Sequence, residues 1–181
     1  LRQNRVTSFV NLLPLIPEAV QGYDELSKYL PGYEFRSFGH NCPDGIRGPV
    51  AAIADEMGRA GWAYHDKVTG DGFGHVIHNW AAVGRPLIGH ARYYAGQRAE
   101  VFWNDGGTCI DLDKHSIEEA AAIIANMKPA EHEQMCRNIR GLLDATYDPA
   151  RYAERVAELL RGGCYWLRIW LTRALGGWAG K

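Results

Sequence analysis

Short apolar runs alternate along this chain with stretches whose apolar residues recur every three or four positions, from the first residues to about position 112. Brief continuous apolar runs mark buried strands, and a period near 3.6 marks a helix with one buried face. Strands are predicted on this basis at Val6–Leu12, Tyr33–Phe38, Trp62–Tyr64, Pro86–Gly89, Glu100–Phe102 and Thr108–Leu112. Helices are predicted at Tyr23–Leu30, Pro49–Ala60 and His75–Val83, with a weaker one at Arg92–Arg98. Strands that alternate with helices build a parallel sheet, since a parallel neighbour is reached only by a long crossover. The expected fold is α/β: a Rossmann-like, doubly wound sheet of six parallel strands with helices on both faces.

The pattern turns purely helical after the last strand. Ser116 with Glu119 three residues on forms a capping box, so a helix is predicted over Ile117–Met127. Two more follow at Ala130–Ala145 and Pro149–Leu160, the second entered through Asp148. Gly162 and Gly163 break the pattern, which sets residues 1–161 as one domain and 162–181 as a tail. In the tail, Trp166, Ile169, Trp170 and Trp178 crowd around Arg168 and Arg173. Such a helix suits peripheral contact with a membrane interface, and equally suits packing against protein, the ordinary use of a broad apolar face.

Composition narrows the class. A chain of 181 residues, 46% hydrophobic and 23% charged, fits one ordinary globular domain with a real core. A net charge of −1 gives no electrostatic reason to expect a nucleic-acid partner. Cys42, Cys109, Cys136 and Cys164 form no CxxC pair, and no signal-peptide pattern precedes them, so a reducing, cytoplasmic setting is expected. No apolar run approaches the roughly 18 residues that span a bilayer, which leaves only the tail as a route to membrane association. The chain opens on Leu1 rather than Met and is read as a piece of a longer protein.

The candidate chemistry lies at Asp71-Gly72-Phe73-Gly74-His75, a glycine turn feeding a helix that continues through Asn79. Gly72 and Gly74 let backbone N–H groups approach a ligand closely, and the helix start presents partial positive charge to the same place, as a phosphate requires. His75 is placed to donate to that phosphate. Asp71 can accept from sugar hydroxyls and Asn79 can bind a ribose hydroxyl; alternatively Asp71 only caps the turn. His75 and His78 share a helix face, but no third ligand stands at a recognised spacing, so no metal is expected. His40, Asn41 and His65 follow predicted strands and are candidates for the cleft lining, Tyr93 and Tyr94 are read as packing, and His115 and His132 are read as surface residues.

Asp71-Gly72-Phe73-Gly74, Asn79 and the run Ala82-Val83-Gly84-Arg85-Pro86-Leu87-Ile88-Gly89 together resemble the donor segment of retaining glycosyltransferases of the GT-B fold, family 4. Asn104-Asp105-Gly106-Gly107-Thr108 resembles that family's turn before its last strand. The resemblance runs from about Val6 to Leu160 and implies the C-terminal, nucleotide-sugar-binding half of such an enzyme. It further implies a nucleoside diphosphate sugar as donor substrate, transfer with retention and no bound metal or cofactor. An acceptor of unknown identity would be held by a separate N-terminal domain.

Departures from the family pattern accompany the matches. Asp71 stands where the family has Glu and reaches about 1.5 Å less far, one C–C bond. Asn79 stands for a second Glu and carries no charge. Where the family places a Gly-Arg pair and a Lys-Gly pair to neutralise the diphosphate, this chain has Asn11-Leu12 and Gln21-Gly22, so Asn11 and Gln21 become donor-site positions without a cation. Lys67, His75 or Arg85 would have to compensate, although Arg85 sits at the far end of its helix and is read as structural. Two other readings stay open: a nucleotide-sugar 2-epimerase of the same architecture, and a non-catalytic interaction module descended from a transferase domain.

Overall fold

A computed structural model of the chain describes residues 3–11, 13–45, 48–68, 74–148, 150–159 and 161. Five short strands, β1 (Arg5–Ser8), β2 (Glu34–Ser37), β3 (Trp62–Tyr64), β4 (Leu87–Gly89) and β5 (Cys109–Asp111), form one parallel sheet in the order β2-β1-β3-β4-β5. The helices are α1 (Pro17–Tyr29), α2 (Val50–Arg59), α3 (His75–Ala82), α4 (Ile117–Asn126) and α5 (Pro129–Thr146). The winding direction reverses between β1 and β3, the doubly wound arrangement in which ligands bind beyond the carboxyl ends of the strands.

Alternation along the strands sends side chains to opposite faces. Val6 and Ser8 lie level with Trp62 and Tyr64, and from this face Tyr64 reaches α1, donating its hydroxyl to Ala19 O at 2.9 Å. Trp62 packs on His132 of α5 at 4.9 Å between ring centroids, and Ala120, Ala121 and Ile124 of α4 complete the same core. Arg5, on the opposite face, pairs with the buried Glu56 of α2, and Phe9 meets Trp80 of α3 edge-on at 5.6 Å. Helices thus cover both faces.

Several boundaries differ from expectation, each for a local reason. The sheet has five strands rather than six, because Glu100–Phe102 lies within a 3₁₀ helix, Arg98–Phe102. Its buried residues, Ala99 and Phe102, are three apart, which fits a three-residue turn and not a strand. The helix expected at Arg92–Arg98 is likewise a 3₁₀ turn at Ala91–Tyr94 followed by bends. β1 ends at Ser8, and Leu13–Leu15 form a further 3₁₀ turn. α1 begins six residues before the expected Tyr23, with Pro17 in its first turn. Gly22 sits inside that helix because a Cβ there would come within 2.7 Å of the Tyr64 hydroxyl.

The capping box forms as read: Ser116 Oγ accepts from Glu119 N at 3.2 Å, and Glu119 Oε2 accepts from Ser116 N at 2.8 Å. The chain divides into two compact units, Leu1–Leu143 and Asp144–Lys181. Within the second, residues 150–159 are helical and Asp148 Oδ1 accepts from Ala150 N at 2.9 Å. Gly162, Gly163 and the Trp-rich tail lie outside the described residues. No described helix is long and apolar enough to cross a membrane.

Candidate functional site

The carboxyl ends of β3, β4 and β5 converge on one edge of the sheet. From β3 the chain runs through His65, Asp66 and Lys67 and re-enters view at Gly74, which starts α3 in the left-handed region with φ 70° and ψ 44°. A side chain at Gly74 would also strike Ala99, whose Cβ lies 2.7 Å from the position a Cβ would take. This glycine is therefore required twice over, by its backbone angle and by close packing. Asp71, Gly72 and Phe73, the centre of the expected donor turn, lie outside the described residues. His75 and Asn79 are exposed on α3, at its first and fifth positions. His78 faces the other way, buried, with Nδ1 2.8 Å from Gly74 O and its ring edge-on to Phe102.

The two positions expected to flank the diphosphate are engaged locally. Asn11 Oδ1 accepts from His40 N at 3.1 Å, joining the loops after β1 and β2, and Gly39 approaches the Asn11 backbone so closely that a Cβ would lie 3.1 Å from its Cα. Gln21 lies within α1, not in a loop, and donates Nε2 to Glu25 Oε1 at 2.8 Å. Arg85 is structural: its guanidinium donates to Gly58 O at 2.6 Å and to Gly84 O at 3.0 Å. Burial holds its pKa below the ordinary arginine value. Arg92 pairs with Asp113, and Arg36 with Asp44 at 3.0 Å.

Other candidates separate by burial. His40 and Asn41 are exposed, whereas His65 is buried with its ring 5.9 Å from Tyr94, inside the core and not on an open cleft. Tyr94 stacks on Trp103 at 4.7 Å and is packing, as read. His132 is a correction: it is buried, with Nε2 2.9 Å from Gly61 O. His132, Met135 and Ile139 recur at three and four residues on the buried face of α5, and this spacing overrides the polarity of the imidazole. His115 is half-buried against Asp105 at 3.0 Å. Burial raises the Cys109 and Cys136 thiol pKa values, leaving both protonated and weakly nucleophilic. Among the described residues no group of three or more His, Cys, Asp or Glu could hold a metal.

One feature at this edge follows from register, which sequence periodicity does not supply. Tyr64 lies opposite Ile88, so two residues further on Asp66 meets His90. Asp66 Oδ1 lies 2.8 Å from His90 Nδ1 and accepts from His90 N at 3.3 Å. The carboxylate is buried, its side chain 2% exposed, while that of His90 is 22% exposed.

The arrangement is the fold of GT-B glycosyltransferases, as comparison with solved structures shows. HepE of Anabaena, in complex with UDP-glucose, is 16% identical with a TM-score of 0.66, over 89% of this chain and 49% of HepE. A TarM mutant of S. aureus, crystallised with UDP among other ligands, is 13% identical with a TM-score of 0.65, over 86% of this chain and 35% of TarM. The chain thus spans half or less of these proteins. No family model and no curated protein matches the sequence.

Proposed function

We propose that this chain is the nucleotide-sugar-binding half of a GT-B glycosyltransferase, with the donor diphosphate seated at residues 69–74 and the start of α3. Support comes from one observation above all. The glycine-led entry into α3 stands at the carboxyl edge of a doubly wound sheet whose fold is that of proteins solved with UDP and UDP-glucose. Backbone N–H groups and the positive end of α3 would stabilise the departing diphosphate, the preorganised electrostatic contribution such a transfer needs. Asp71 would hold the sugar, and Asn79 a ribose hydroxyl. Retention at the anomeric carbon, independence of metal and an acceptor domain elsewhere in the protein complete the reading.

Nucleotide-dependent melting tests it. At a hundredfold excess over Kd a ligand adds about 2.7 kcal/mol to the native state, a shift of several degrees for a domain of this size. UDP or GDP and their sugars should raise the midpoint. Asp71→Ala should spare nucleotide binding while erasing the difference between nucleotide and nucleotide sugar. A second reading draws on Asn11 and Gln21, whose neutral side chains are committed to His40 and Glu25. If melting is flat with every nucleotide, the non-catalytic interaction module takes precedence.

A further inference from the structure

Neutralisation of the diphosphate is the weak point of the donor reading, since Asn11 and Gln21 carry no charge, Arg85 holds Gly58 and Gly84, and Arg92 is paired with Asp113. The Asp66 and His90 pair offers an answer. A buried carboxylate against Nδ1 fixes the orientation of an imidazole and turns Nε2 outward. The half-exposed ring stands where β4 ends, on the edge where α3 begins. The 3₁₀ helix Arg98–Phe102 ties the two places together: Gly74 packs on Ala99, and Gly89, next to His90, packs on Trp103. Ala99 and Trp103 are four residues apart, about 8 Å at the rise of such a helix.

We propose that His90, oriented by Asp66, binds as an imidazolium and donates Nε2–H to a phosphate oxygen of the nucleoside diphosphate. This rests on the donor-binding reading above and adds a cation to Lys67 and His75, the other described candidates at this edge. The proton comes from solvent when the ligand binds and returns to it on release. His90 is the binding residue and Asp66 the positioning residue. The described charged and titratable groups around the ring are few. Asp66 lies on the β3 side with Tyr64 Oη 3.5 Å from it, and Tyr93 lies 5.2 Å away between ring centroids. Asp111 accepts from Ala91 N at the end of β5, and Arg92 and Asp113 neutralise each other. The more modest role for Asp66 is to cap the turn at Ala91–Tyr94 through His90 N, and that role needs no proton on the ring.

Calorimetry with UDP-glucose separates these, because its diphosphate diester has no group that titrates near neutrality. Titrations in two buffers of different ionisation heat report protons taken up per ligand bound. Run across a pH series, these should show net uptake by the unaltered protein wherever the free ring is neutral. His90→Gln should abolish that uptake and weaken binding about tenfold, the scale of one hydrogen bond to a charged group. Asp66→Asn, which keeps an acceptor for His90 N, should weaken binding as well and move the uptake to lower pH. Binding without proton uptake at any pH in the series, or uptake that survives His90→Gln, overturns the role of His90 and leaves the donor reading standing. If neither UDP-glucose nor a guanosine diphosphate sugar binds at all, the donor reading falls, and this inference with it.

Discussion

Two histidines sit at opposite ends of β3 and are put to opposite uses. His132 stands at the entry end, its ring against Trp62 and its Nε2 on the carbonyl of Gly61. Burial, the largest influence, holds its pKa below the ordinary histidine value, so it is kept neutral. His90 stands at the exit end against a carboxylate, half-exposed, where a positive charge has a partner. One end of the strand is closed by packing, and the other carries a buried carboxylate against a partly exposed ring.

The comparison breaks most visibly at His132. Replacing it by Ala removes a buried ring and strands the Gly61 carbonyl, and should cost about 3 kcal/mol in urea denaturation while leaving the nucleotide affinity of the folded protein unchanged. The same residue sets an acid response. Because the folded form resists protonation, the unfolded chain takes up the proton first as pH falls. This contribution is complete above the ordinary histidine value and is lost below it, toward the lower folded value. Stability of the unaltered protein should therefore decline over that window, and the slope should flatten in His132→Gln.

Smaller effects sharpen the contrast. Ser116→Ala removes a purely structural cap at α4 and should cost about 1 kcal/mol in the same assay, with no change in ligand binding. His90→Gln keeps an amide donor for the buried Asp66 carboxylate and should cost about 1 kcal/mol, yet it should move nucleotide affinity most. A large loss of stability at His90 with unchanged affinity would reverse the two assignments.

How far these roles can be read from sequence differs between the two ends. The capping box at Ser116, the parallel class of sheet and the structural role of Arg85 were legible, because each depends on neighbours within one turn or one crossover. His132 was misread, since a single polar residue outweighed the apolar spacing around it. The strand expected at Glu100–Phe102 is a 3₁₀ turn, a distinction that two apolar positions cannot carry. The pairing of Asp66 with His90 depends on the register between β3 and β4, a long-range property that neither local segment encodes. Gly74 was read as a glycine that lets a ligand approach, whereas its left-handed backbone and its contact with Ala99, 25 residues away, are requirements that the local sequence does not display.

The most direct test of the central claim, that the exit end of the sheet receives a nucleoside diphosphate, is residue-by-residue amide shift mapping by NMR while UDP is added. The account predicts that shifts concentrate at Gly74, His75, Asn79 and His90, with Gly61 and His132 unmoved. Shifts centred on the entry end, or saturating UDP with none at Gly74 and His90, would contradict it.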